Sequence, residues 1–177
     1  MNNKLMITVG ELTENTNISS NVESIKIRPS IIRAQEIGLI SLIGEALYRF
    51  LLDKRTEGGT WTGLTSMQTT LVNDYITPYL IAKSAFNVVE RRNFDIANTG
   101  IQKVTTERTS PAELSEIKFL LNSFEADADF YAKRMKQFLD CEEDRTDEIF
   151  TLYCSTHQNP QPNREAFNHL IYFPNKR

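Results

Sequence analysis

The sequence predicts an all-α fold: a helical bundle of kinked long helices, with a protruding loop or small β-hairpin and an extended C-terminal arm. Three observations carry that expectation. Ile117, Leu120, Leu121, Phe124, Ala128, Tyr131, Met135, Phe138 and Leu139 recur at three- and four-residue steps. They make one apolar stripe on a helix of roughly 30 residues, about 45 Å long. Helix-start signatures recur at Thr8, Ser20, Thr65 and Ser110, and glycine is scarce, at 7 of 177 residues. A one-faced rod of that length has to bury its stripe against other helices.

Each element has a local cause. Thr8-Val9-Gly10-Glu11 is a capping box, in which threonine accepts an orphan amide and glutamate reaches back to the cap. It opens a short helix ending near Asn15 to Asn17. Ser20-Asn21-Val22-Glu23 opens a second helix through Ile25, Ile31, Ile32, Gln35, Ile37, Leu39 and Ile40. Pro29 should kink it or mark the first turn of a new helix, because proline lacks a donor and crowds the preceding turn. Gly44 separates it from a helix carrying Leu47, Tyr48, Phe50, Leu51 and Leu52, which Glu57-Gly58-Gly59 ends. Trp61, in the Gly/Thr-rich connection that follows, is expected to fold back on the core, the commoner outcome, or else to plug a neighbour. Thr65-Ser66-Met67-Gln68 opens a helix with Leu71, Val72, Tyr75, Ile76, Tyr79 and Leu80, interrupted by Pro78.

From Asn93 to Thr109 the helical period is lost. Ile101 to Thr106 alternates weakly after the turn signal Asn98-Thr99-Gly100, so a loop or hairpin stands between two long helices. Connections that long are usually functional. Ser110-Pro111-Ala112-Glu113 then caps the long helix, with proline at the one position where its missing amide costs nothing. The acids after Leu139 oppose the macrodipole and close it. Asp147 to Tyr153 suits another short helix. Asn159 to Asn163 is a Pro-rich linker, and Arg164 to Arg177 carries enough apolar surface to want a docking site. The chain therefore divides into a helical domain, residues 1–140, and a segment 141–177 of acidic stretch, linker and arm.

Composition narrows the function. Lys/Arg and Asp/Glu balance over residues 1–139, and the net charge of −3 arises in residues 140–177. A protein that grips phosphates shows a basic excess, which is missing here. The basic clusters Lys26/Arg28/Arg33, Arg91/Arg92 and Lys133/Arg134/Lys136 alternate with acids, which fits solvated faces, or faces toward partner subunits or passing DNA. Glycine-rich phosphate loops and a Gly-x-Ser-x-Gly elbow are absent from the sequence. Cys141, Cys154, His157 and His169 are zinc-type residues, but only Cys154 and His157 are close enough in sequence to form a ligand pair. The two cysteines read as ordinary thiols. Catalysis, cofactor and metal are not expected. No stretch is apolar enough to span a bilayer, and the N-terminus has no signal-peptide pattern, so a cytosolic protein is expected.

One order of motifs is more specific. Ile31-Ile32-Arg33-Ala34-Gln35-Glu36-Ile37 is followed by Leu42-Ile43-Gly44-Glu45-Ala46-Leu47-Tyr48. Asp74 to Tyr79, Gly100, the Ser-Pro-Ala cap and Tyr131-Ala132-Lys133-Arg134 come after. Over residues 6–140 this resembles the head–tail connector (adaptor, or head-completion) proteins of tailed bacteriophages, above all those of crAss-like and other Bacteroidetes phages. The resemblance implies a structural virion protein, assembled in the host bacterial cytoplasm. It forms a homo-oligomeric ring, usually a dodecamer, between the portal protein and the tail or further ring proteins. DNA passes through it transiently and without sequence preference, and no membrane is involved. By position, the loop residues Ile101, Lys103 and Val104, with Phe167, Leu170, Ile171, Tyr172 and Phe173 of the arm, are implied to bind the portal or a neighbouring subunit. Glu142, Glu143 and Asp144 would line the DNA channel. A helical DNA-associated regulatory protein is the alternative.

Overall fold

The computed structural model describes residues 4–16, 18, 23–92, 94–97, 100–103, 114–140 and 146–157. Its elements are α1 (Val9–Glu14), α2 (Ser24–Arg33), a π-helical stretch (Ala34–Leu39), α3 (Ile40–Ile43), α4 (Glu45–Asp53), α5 (Ser66–Thr70), a second π stretch (Leu71–Ile76), α6 (Thr77–Arg92), strands β1 (Phe94–Ala97) and β2 (Gly100–Lys103), α7 (Leu114–Phe138) and α8 (Glu148–His157). The fold is an all-α bundle with one small hairpin. The capping boxes expected at Thr8 and Thr65 are both formed. The second helix starts later than its motif suggested: it begins at Ser24 after Glu23, whose side chain makes no cap bond, and residues 20–22 lie outside the described ones.

Both long rods change pitch, but only the second does so beside its proline. The helix continues through Pro29. It widens five residues later, where Ile40 donates to the carbonyl of Gln35. The second π stretch ends just before Pro78, with Thr77 donating to Val72. A five-residue step there relieves the crowding between the proline ring and the carbonyl four residues back.

Helix α6 is the spine. About 100° of turn per residue puts Lys83, Asn87 and Glu90 on one side and Pro78, Ile81 and Ala82 on the other. On the first side Asn87 Nδ2 donates to the Ser30 carbonyl at 3.1 Å, and Arg33 pairs with Glu90 at 2.9 Å. On the second side lie Phe124 and Tyr131 of α7. Helices α2 and α7 thus flank α6. The core gathers Leu12, Ile27, Ile31, Leu47, Leu51, Leu71, Leu80 and Met135.

Helix α8 packs on α4 and contributes Ile149, Phe150 and Tyr153 to the same core. The helical body therefore runs past residue 140. Phe150 lies 5.8 Å from Phe138 at the end of α7, and Phe138 stacks on Tyr75 at 4.9 Å. Cys154 corrects the thiol expectation, because it is disulfide-bonded; the only other cysteine in the chain is Cys141, outside the described residues. Sequence spacing could not show that α8 returns beside the end of α7. Among the described residues no helix is long and apolar enough to cross a membrane.

Candidate assembly surfaces

The motif residues that carried the resemblance form a structural corner. Gln35, buried at the start of the first π stretch, clamps the N-terminal segment. Its Oε1 accepts from the Met6 amide at 3.1 Å and its Nε2 donates to the Lys4 carbonyl at 3.0 Å. A glutamine amide does here what a neighbouring strand would do. Tyr48 of α4 sits against the same side chain; burial first, then the Glu36 charge, raises its pKa despite the Gln35 contact. Gly44 breaks the rod between α3 and α4 at φ +80°, and a Cβ there would lie 2.5 Å from Thr156 of α8. Only glycine fits both the backbone and the approach. In the first π stretch Gly38 gives room to the Tyr79 hydroxyl, which a Cβ would meet at 2.6 Å. Burial, then the charge of Asp129, pushes that hydroxyl up to about 12.

A second junction was not legible as such. Asp147 caps α8 by accepting from the Ile149 amide at 3.2 Å. The same carboxylate accepts from Gln68 Nε2 at 3.0 Å and from Thr65 Oγ1 at 2.6 Å. Thr65 and Gln68 are the capping box of α5, so two helix starts share one acid. Burial opposes ionisation of Asp147, yet the bonds from Gln68, Thr65 and Ile149, with the Lys54 charge, hold its pKa below the ordinary value. The sequence marks Asp147 only as the start of a short helix, Asp147 to Tyr153.

Trp61 folds back as expected. It forms an isolated bridge with Arg55, whose guanidinium lies 4.8 Å from the indole. Arg55 is 2% exposed and donates to Glu11 at 3.0 Å, which ties the α4–α5 connection to α1.

Of the residues implied to bind partners, Ile101 and Lys103 lie on β2, paired with Ile96 and Phe94 of β1 in an antiparallel register. The hairpin leaves the end of α6 and precedes α7, as the loss of helical period suggested. Val104, the arm residues Phe167, Leu170, Ile171, Tyr172 and Phe173, and the acids Glu142, Glu143 and Asp144 lie outside the described residues.

The long stripe of α7 needs a correction. It is fully buried only at Ala128, Met135 and Leu139. Ile117, Leu121 and Phe124 are half-buried and Leu120 is exposed. Near its C-terminal end Phe138 of α7 meets the Tyr75 and Phe150 rings, whereas Phe124 in its first half lines an open pocket with Asn15, Thr16, Pro78 and Ile81. The opposite side of the helix carries Phe119 and Phe130, 77% and 54% exposed. A further apolar patch, exposed on α2 and the π stretch after it, holds Ile25 and Ile37.

A family model described as a family of unknown function, DUF6712, matches residues 39–163. No curated protein matches the chain, and no solved structure does.

Proposed function

The chain belongs to DUF6712, a family of unknown function, and we propose that it serves as a non-enzymatic virion subunit. In this reading it is a ring-forming connector between portal and tail that extends the DNA channel and carries the tail. The observation that carries the reading is the outward face of α7. Among the described residues Phe119 and Phe130 stay exposed there, with the Arg134 guanidinium 5.6 Å from the Phe130 ring. A subunit that finishes its burial against another protein has such a face. The rigid corner at Gln35 and Gly44 and the hairpin between the two long helices support the same role. Ile101, Lys103 and Val104, together with Phe167, Leu170, Ile171, Tyr172 and Phe173, would engage the portal or a neighbouring subunit. Glu142, Glu143 and Asp144 would face the channel and repel phosphate, so that DNA slides.

Co-sedimentation with purified portal particles tests the role. The intact chain should pellet with portal. A chain lacking residues 160–177 should keep its helical circular dichroism and lose most of that binding. Equal portal decoration by the truncated chain would remove the arm from the mechanism.

A further inference from the structure

Helix α8 is the last described element before residues 158–177, and its noncovalent anchorage is short. Ile149, Phe150 and Tyr153 are buried in the core. Asp147 joins its start to Thr65 and Gln68. Thr156, near its end, lies against Gly44. A further hold is covalent, because Cys154 is disulfide-bonded.

Residues beside both cysteines of the chain stand together. Cys141 is the only other cysteine and directly follows Asp140. Phe138 and Phe150, about one helical turn before Cys141 and Cys154, have ring centroids 5.8 Å apart. Burial first, then the Asp140 charge, raises the pKa of Tyr153, the residue before Cys154. The end of α7 and the side of α8 that carries Cys154 are therefore neighbours. Cys154 itself is half-buried, which leaves its sulfur within reach of a small thiol.

We propose that Cys141 and Cys154 of one chain form a redox latch that fastens α8, and with it the root of residues 158–177, to the end of α7. Closing the latch turns two thiols into one disulfide. Each sulfur gives up one proton and one electron and the S–S bond forms. A disulfide oxidant such as oxidised glutathione accepts both electrons and both protons and leaves as two thiols. A dithiol reductant runs the exchange backwards. The bond closes only the short loop 142–153, so it restrains α8 and its connection rather than the bundle. Where thiols are kept reduced, α8 is held by its noncovalent contacts alone; an oxidising compartment adds the latch. The latch does not depend on the connector reading.

Hydrogen exchange on the full chain, first treated with oxidised glutathione and then with dithiothreitol, tests it. After oxidation, peptide mass spectrometry should find Cys141 linked to Cys154 within one chain. Reduction should speed amide exchange over α8 at least about tenfold and leave α6 unchanged. The double variant Cys141→Ser, Cys154→Ser should exchange like the reduced wild type whether or not dithiothreitol is present. If that variant fails to fold, reduction of the wild type carries the test by itself. Two titratable thiols after oxidation overturn the pairing, as does a covalent dimer on a non-reducing gel. Unchanged exchange over α8 after reduction overturns the latch. Faster exchange through α6 as well would show a bond that holds the whole bundle, and that also overturns it.

Discussion

At the scale of single residues, polar and glycine positions fix the geometry that apolar patterning leaves open. Gln35→Ala removes both bonds to residues 4–6 and orphans the buried Met6 amide. The expected cost is about 1–3 kcal/mol, read by urea unfolding; a change within error would mean that the N-terminal segment holds without the clamp. Gly44→Ala combines a left-handed backbone with a collision against Thr156 and should cost about 1–3 kcal/mol. Tyr79 gives a pH signature. Its folded pKa lies near 12 against an ordinary 10.0, so its share of stability is intact below pH 10 and is lost as pH climbs to 12. Across that window the wild type should lose about 2–3 kcal/mol more than Tyr79→Phe. Parallel curves for the two proteins would contradict the buried hydroxyl. The sequence displayed Gln35, Gly44 and Tyr48 as an ordered motif without displaying why. The reason is tertiary: the partners, Lys4, Met6 and Thr156, are distant along the chain.

At the scale of elements, helix starts were the most legible feature, because a capping box is local chemistry. Thr8 and Thr65 behave as written. Asp147 shows the limit, since its bonds to Thr65 and Gln68 span some eighty residues. Asp147→Ala should destabilise by about 1–2 kcal/mol at neutral pH. Its folded pKa is depressed, so the contribution is present above the ordinary carboxylate value and fades as pH falls through the folded one. The difference between wild type and variant should therefore shrink in acid. The long helix was visible from its period, but period alone does not say how much of a stripe is covered. Phe124→Ala, at a half-buried position, should cost about 1–2 kcal/mol, and Met135→Ala, in the closed half, about 2–5 kcal/mol. Equal costs would mean that the start of α7 is as well covered as its end. The outward Phe119–Phe130 spacing was legible too, but reading one stripe per helix hides a second.

At the scale of the whole molecule, α6 holds two helices, α2 and α7, that each keep large apolar side chains exposed, Ile25 on one and Phe119 and Phe130 on the other. The sequence shows the arginines at 28, 33 and 91 as scattered clusters; only the packing of α2 beside α6 gathers them on one rim. The most direct test is electron microscopy of the full-length protein mixed with the portal protein from the same genome. The account predicts a closed ring stacked on the portal. Portal particles that stay bare at high protein concentration would contradict it.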